Sequence, residues 1–141
     1  MENTKVNAYY KDTEYFKIFR MQHTGLDIIP NDNYYKNNKA YKLIQETVIF
    51  ATCNGKAKGL VDSYGANYIY LRCNYNSYHL LYVHNKKNFI DYTEQIVIAG
   101  QPIAIMGATG KATGPHLHYE IRQVNSNGSY QTLNPLDFIN I

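Results

Sequence analysis

The chain has 141 residues, with 14 Lys and Arg against 11 Asp and Glu, five His, two Cys and a formal net charge of +3 at pH 7. A chain of this length predicts one domain, residues 1–141, whose core forms without the support of a metal or a disulfide. The weak positive charge, without basic runs among aromatic residues, argues against a nucleic-acid partner, and no apolar stretch reaches the length of a membrane span.

Residues 1–14 form an N-terminal lead-in that lacks the apolar segment typical of a signal peptide. We expect residues 15–21 to form the first strand and residues 23–27 to form a loop. Further strands follow from alternating apolar and polar residues bounded by Gly, Pro and Asn. These are expected at residues 47–52, 56–62, 67–74, 77–84, 96–99, 103–106, 117–124 and 130–133. The pattern predicts a mostly β fold, an antiparallel sheet or sandwich-like core with little helix.

Two histidines one residue apart, His116 and His118, begin the strand expected at residues 117–124. In a strand, side chains at positions i and i+2 leave the same face, so both imidazoles point to one place. A solvated strand face explains an isolated pair equally well. A metal or catalytic site becomes the better explanation when the other histidines are included.

His23 and Asp27 are four residues apart, with Gly25 between them to permit a tight bend. His84 ends the strand expected at residues 77–84. Histidine and aspartate are zinc ligands, and a His, Asp and His set leaves a fourth position open. The spacing therefore predicts a metal site at one end of the sheet.

The same residues resemble the lysostaphin/LytM-like zinc endopeptidases of bacterial cell walls, metallopeptidase family twenty-three. The resemblance rests on three motifs in order: His23-Thr-Gly-Leu-Asp27, Tyr82-Val-His84 and Thr113-Gly-Pro-His-Leu-His-Tyr-Glu120. Glycine-rich and turn segments at residues 54–57, 64–69, 100–110 and 134–136 also resemble the framework of that family. The likeness runs from residue 23 to the C-terminus.

This resemblance implies that His23, Asp27 and His118 hold one Zn²⁺ per chain. It implies catalytic roles for His84 and His116, one as base and the other assisting the oxyanion or the leaving amine. Which of the two is the base is left open. Glu120 shares the strand face of the histidine pair, and it either orients an imidazole or is a plain surface carboxylate.

An insertion at residues 30–45 separates the first ligand motif from the next expected strand and departs from the family pattern. It is rich in Asn, Lys and Tyr. A solvated surface loop is one interpretation. The other is that Tyr34, Tyr35 and Tyr41 line the substrate groove, because the insertion directly follows a metal ligand. Residues 40–45 have the pattern of a short helix.

The implied activity is hydrolysis of peptide stems or cross-bridges of peptidoglycan by a secreted, phage-delivered or virion-associated enzyme at the bacterial cell wall. Endolysins and tail-associated lysins of bacteriophages fit this description, and a free enzyme is expected to be a monomer. One alternative is a catalytically idle relative that binds the wall or activates another hydrolase. Another is a structural component of a virion or tail assembly.

Four residues outside the motifs have less specific interpretations. Cys53 and Cys73 flank a turn that would allow a disulfide, although two buried free thiols are slightly preferred. His79 is expected on the strand face opposite to that of His84, with a structural role. Tyr15 is either an oxyanion donor or, as we prefer, a core residue.

Overall fold

The computed structural model describes residues 4–30 and 47–139, and antiparallel strands dominate this part of the chain. The fold class predicted from the sequence, mostly antiparallel β with little helix, is confirmed. The elements in chain order are β1 (Thr4–Ala8), α1 (Thr13–Phe19), β2 (Leu26–Pro30), β3 (Val48–Phe50), β4 (Gly55–Val61), β5 (Asn67–Cys73), β6 (Tyr78–Asn85), β7 (Lys87–Asn88), β8 (Gln95–Val97), β9 (Pro102–Ile105), β10 (Leu117–Val124) and β11 (Tyr130–Leu133), followed by a 3₁₀ turn (Pro135–Asp137).

These strands form two sheets. The larger sheet has the order β1-β2-β10-β6-β5-β4-β8, with β11 added to β10. The smaller sheet has the order β3-β9-β7. Because the central strands of the larger sheet come from distant parts of the sequence, Asp27 on β2 and His118 on β10 become neighbours.

The hydrophobic core lies on one face of the larger sheet. Strand β10 contributes Leu117, Tyr119 and Ile121 to it, each no more than 5% exposed. Residues of the smaller sheet, including Ile49 and Ile103, belong to the same buried cluster. The alternate residues of β10 point to the other face of the larger sheet. That second face carries the polar side chains of the functional site.

A β-bulge interrupts β6 at His84. Asn67 of β5 pairs with Asn85, whereas the next residue of β5, Tyr68, pairs with Val83, so His84 is an extra residue in β6. Strict alternation would turn His84 to the core face of Tyr82. Its φ of +74° and the bulge turn the side chain to the polar face, as bulges near active sites often do.

Residues 15–21 do not form the predicted strand, because residues 13–19 are helical. Asp12 caps helix α1 by accepting hydrogen bonds from the backbone N–H groups of Glu14 and Tyr15. An aspartate at this position satisfies N–H groups that otherwise lack partners at a helix start. Nothing in α1 is fully buried, so the apolar residues that suggested a strand line a surface groove instead.

Cys53 and Cys73 form a disulfide, so the preference for two free thiols is wrong. Cys73 ends β5, and Cys53 lies just before β4, which pairs with β5 in antiparallel fashion. The pairing brings position 55 opposite position 73, and the cysteines therefore lie close enough to bond. The bridge joins the open end of the β4–β5 hairpin, with 20 residues of separation between its two cysteines.

The other predicted strands are present within a few residues of their expected bounds. Strands β1, β2 and β7 were not predicted, and Asp27 lies in β2 rather than in a loop. The helix expected at residues 40–45 falls outside the described residues. No helix in the two described ranges has the length and apolar character needed to cross a membrane.

Candidate functional site

Three side chains from distant parts of the chain converge to form a candidate metal site. His23 Nε2 and His118 Nδ1 each lie 3.1 Å from Oδ1 of Asp27. The possible ligand atoms of the three residues lie within 4.8 Å of one another. Histidine nitrogen and carboxylate oxygen are zinc donors, and three protein ligands leave a fourth position for water or substrate. The donor set therefore fits a catalytic zinc ion.

Strand pairing and a loop contact position these three side chains. Asp27 in β2 lies directly opposite His118 in β10, and residues paired in this way project from the same face. His23 lies in the loop before β2 and is 2% exposed. Its Nδ1 donates a hydrogen bond to the carbonyl oxygen of Tyr9 at 2.7 Å. The N-terminal lead-in thus orients a candidate ligand histidine, a contact for which the sequence carries no recognisable signal.

Gly25 is needed at its position because of limited space. A Cβ atom there would lie 2.5 Å from the carbonyl oxygen of Tyr119 and 2.9 Å from Cε1 of His118. Gly25 is not among the residues with positive φ, so a tight bend is not the reason for a glycine. Its missing side chain lets the ligand loop approach β10 and the imidazole of His118.

His84 and His116 face the candidate metal site from outside the ligand set. Their ring centroids are 4.8 Å apart, and Nε2 of His116 lies 3.7 Å from Oδ1 of Asp27. His84 Nδ1 donates to the carbonyl of Thr109 at 2.8 Å, and His116 Nδ1 donates to the carbonyl of Gly114 at 2.9 Å. Because a carbonyl only accepts, the proton of each neutral ring is on Nδ1 and the lone pair on Nε2. Both histidines can therefore accept a proton at Nε2.

The Thr109 carbonyl that holds His84 is itself fixed. Oγ1 of Thr109 donates to the carbonyl of Asn85 at 2.7 Å and accepts from the backbone N–H of Asn67 at 3.0 Å. A positive φ such as that of His84 is unfavourable for a residue with a side chain and persists when its surroundings fix it. The two hydrogen bonds of Thr109 fix the surroundings of His84 in this way. In the sequence, Thr109 has no signal beyond its place in the glycine-rich segment at residues 100–110.

Glu120 contacts the histidine that pairs with Asp27. Its Oε1 accepts from Nε2 of His118 at 3.1 Å and from Oγ1 of Thr24 at 2.6 Å. Its Oε2 accepts from Nε of Arg122 at 2.5 Å. This carboxylate keeps the Nε2 proton of His118 on the side away from the metal site, so that Nδ1 faces Asp27. The effect of Glu120 on metal binding stays a prediction.

The pKa shifts show that this cluster is suited to a positive charge. Burial alone would raise the pKa of Asp27, but hydrogen bonds from His118 and His23 hold it below its usual range. Burial alone would lower the pKa of His118, but its bonds to Asp27 and Glu120 raise it to about 9. In the metal-free protein, His118 thus carries a proton on each ring nitrogen, one facing Asp27 and the other facing Glu120. A bound cation would replace the proton that faces Asp27.

A cavity of 620 Å³ opens above the candidate site and is lined on one side by α1. The ring of Tyr15 stacks on His23 with 4.3 Å between centroids. Tyr15 is half-buried and lines this cavity, so its assignment to the core is wrong. Burial, together with the charge of Asp27, raises the pKa of the Tyr15 phenol. The phenol therefore stays protonated and able to donate.

The cavity also has lining residues that sequence reasoning missed. Ile18, Phe19 and Met21 form an apolar wall, and Lys111 lies on the cavity lining as well. Ile18, Phe19 and Met21 are missed because the pattern of residues 15–21 predicts a strand. Tyr34, Tyr35 and Tyr41, predicted as groove residues, lie outside the described residues.

His79 does not lie on the face opposite to that of His84. It pairs with Arg122 on β10, and Arg122 shares the polar face with His118. Alternation failed as a guide because the bulge at His84 inserts a residue between the two histidines. Nδ1 of His79 and the hydroxyl of Tyr70 are hydrogen-bonded at 2.6 Å, which is consistent with a structural role.

Comparison with known proteins gives consistent matches. The model of a family described as "Peptidase family M23" matches residues 22–135. The peptidoglycan DD-endopeptidase ShyC of Vibrio cholerae is 37% identical over 75 residues, which cover 52% of this chain and 17% of that protein. The DD-carboxypeptidase/endopeptidase Mpg of Neisseria meningitidis is 34% identical over 102 residues, covering 71% of this chain and 20% of Mpg. The match thus spans about a fifth of the length of these two relatives.

A solved structure matches over a larger share of its own length. The catalytic domain of the antimicrobial peptidase lysostaphin from Staphylococcus simulans superposes with a TM-score of 0.63 at 28% sequence identity. The superposition covers 83% of this chain and 78% of that domain. The similarity therefore includes the fold as well as the motifs.

Proposed function

This chain belongs to peptidase family M23, and we propose on that basis that it is a zinc-dependent endopeptidase that hydrolyses peptide stems or cross-bridges of bacterial peptidoglycan. The observation that carries the proposal is the convergence of His23, Asp27 and His118 within 4.8 Å, with His84 and His116 beside them. Its relative ShyC is named as a peptidoglycan DD-endopeptidase and Mpg as a DD-carboxypeptidase/endopeptidase, and the name of ShyC supports the same substrate class. Its place of action would be the cell wall.

The metal and the two further histidines would divide the chemistry. Zinc, when bound by His23, Asp27 and His118, supplies a Lewis acid that polarises the peptide carbonyl and lowers the pKa of water. His84 and His116 each present a lone pair at Nε2, so one can take a proton from the attacking water. The protonated ring can then deliver that proton to the leaving amine.

Other residues of the cavity would orient the substrate and stabilise charge. The Tyr15 phenol, held protonated by burial and by Asp27, can donate a hydrogen bond to the developing oxyanion. The apolar wall formed by Ile18 and Phe19 of α1 lies on the same cavity. It can exclude water from one side of a bound peptide.

The alternative of a catalytically idle wall binder has less support. A binder needs neither a complete ligand set nor two further histidines with free Nε2 atoms, and all five side chains are together in this protein. A phage endolysin or a tail-associated lysin would present the same site. The proposal therefore concerns the reaction, whatever route brings the enzyme to the wall.

Metal analysis combined with wall digestion tests this function. Purified walls with different cross-bridges are incubated with the zinc-loaded protein, and the released ends are identified by mass spectrometry. We expect one zinc per chain and new peptide ends that disappear after treatment with a chelator and return with zinc. A protein that binds zinc but releases no peptide from any wall would contradict the enzyme and favour the binder.

A further inference from the structure

The polar face of the larger sheet continues beyond the metal site across three strands. His118 pairs with Val83, Val83 with Tyr68, and Tyr68 with Leu60, and residues paired in this way project from the same face. Neighbouring strands are about 4.8 Å apart, so Leu60 on β4 lies roughly 14 Å from His118 on β10. One face thus connects the metal site with β4.

At the far end of this face lies a second concavity of 480 Å³. We call it the cationic groove, and it is formed by Lys56, Lys58, Leu60, Tyr68, Tyr70 and Arg72. The tyrosine ring at position 70 is fixed by its hydrogen bond to His79. The groove therefore has an ordered aromatic floor beside three basic side chains.

Basic groups outnumber acidic groups in this groove. Arg72 forms an ion pair with Glu94 at 2.5 Å, the acidic residue that also lines the concavity. Lys56 and Lys58 are exposed and have no ion-pair partner among residues 4–30 and 47–139. Three cations against one carboxylate leave a local charge of +2, which favours an anionic ligand.

We propose that the cationic groove is a substrate subsite that binds a carboxylate of an acidic wall peptide whose scissile bond lies at the metal site. The proposal rests on the proposed function, because it extends the binding site of the same substrate. An extended peptide advances about 3.3 Å per residue, so roughly 14 Å corresponds to a carboxylate about four residues from the cleaved bond. The continuous sheet face and the excess of positive charge both favour this occupant.

The test compares two soluble wall peptides that differ only in whether their side-chain carboxylates are free or amidated. The zinc-loaded full chain is assayed with each peptide, and binding is also measured by fluorescence anisotropy. We expect Lys58→Ala to raise KM and Kd for the free-acid peptide by about fivefold, the upper range for an exposed charge pair. The kcat for both peptides and the KM for the amidated peptide stay unchanged.

The matched control is Lys87→Ala, which removes the same charge from an exposed position on β7 of the smaller sheet. It leaves both KM values unchanged. Equal shifts in Lys58→Ala and Lys87→Ala would overturn the proposal, since they would reflect net charge alone. The proposal would also be overturned if the two peptides bound equally well and a polyglycerol phosphate bound in a way that depends on Lys58. The ligand of the groove would then be a phosphate polymer.

Measuring both peptide cleavage and binding by anisotropy separates this proposal from the proposed function. If the wild-type protein cleaves neither peptide, the proposed function fails, and anisotropy still decides whether the groove distinguishes carboxylate from amide. If cleavage occurs without any dependence on Lys58 or on the carboxylate, the enzyme stands and the groove proposal falls.

Discussion

The two faces of β10 differ in what they require of their residues. Leu117, Tyr119 and Ile121 face the core, where they pack among other apolar side chains. His118 and Glu120 face the other side of the sheet. There Nδ1 of His118 is hydrogen-bonded to Asp27, and Nε2 of His118 is hydrogen-bonded to Glu120. A core residue can be replaced by another of similar volume at small cost. A ligand residue depends on the placement of a single nitrogen or oxygen atom.

This difference shows how one strand can serve stability and chemistry separately. Substitutions on the core face should change the free energy of unfolding and leave the chemistry of each folded molecule intact. Substitutions on the polar face should do the reverse. The following predictions test that separation, from the largest expected effect to the smallest.

The largest effect is expected from the histidine pair at the start of β10. His118→Ala removes one of three ligands, so we expect the protein to lose zinc and activity together. His116→Ala leaves the three ligands in place, so it should keep zinc while kcat falls roughly 100- to 10,000-fold, the usual contribution of acid–base catalysis. Zinc content by atomic spectroscopy and turnover on a wall peptide measure both. Loss of zinc from His116→Ala would contradict the division of roles.

On the opposite face, Ile121→Ala tests the core. Ile121 is 2% exposed, and a large-to-small change at such a site typically costs about 2–5 kcal/mol of unfolding free energy. We expect that loss in denaturant titration, with zinc content and kcat per folded molecule unchanged. A matched change on the polar face, Arg122→Ala, should cost less stability. A fall in kcat of folded Ile121→Ala would show that the two faces are coupled.

A smaller effect is expected for Glu120→Gln. The amide keeps the size of the side chain but removes the charge that accepts the Nε2 proton of His118, so zinc affinity should fall by about 10- to 100-fold. Competition with a chromogenic chelator measures this. Unchanged affinity would make Glu120 a plain surface carboxylate, and Glu94→Gln, which lies away from the metal site, is the control.

The smallest effect is expected from pH. Burial lowers the pKa of His84 below its ordinary value of about 6.5, so the ring stays neutral at pH 7. As pH falls through that lowered pKa, the ring gains a proton at Nε2 and cannot act as a base. Activity should therefore decline only at pH values below the ordinary pKa of histidine, by up to about tenfold per pH unit for a single proton. Zinc content at each pH separates this effect from metal loss, and a constant rate down to pH 4 would contradict it.

The strands were largely predictable from the sequence because they depend on local alternation and turn residues. The pattern of residues 117–124 and 130–133 predicted β10 and β11 within a residue, and the five site residues came from motif resemblance. Their convergence depends on sheet order, which joins β2 to β10 across most of the chain. No local pattern encodes that order.

The errors have equally specific physical causes. The segment around residues 15–21 has apolar residues that fit a strand, but the Asp12 cap favours a helix. The face of His79 was wrong because alternation cannot reveal an inserted residue at His84. The disulfide between Cys53 and Cys73 depends on the register of β4 and β5, which a count of cysteines does not give.

The bulge at His84 also determines which kinds of mutation can change this site. Point substitutions at positions 83–85 alter the side chain but not the direction in which it points. Deleting Asn85 would restore regular pairing with β5, put His84 opposite Asn67 and turn its imidazole toward the interior. An engineer who wishes to move this proposed catalytic position, or to build one on a neighbouring strand, should therefore vary strand length rather than residue identity.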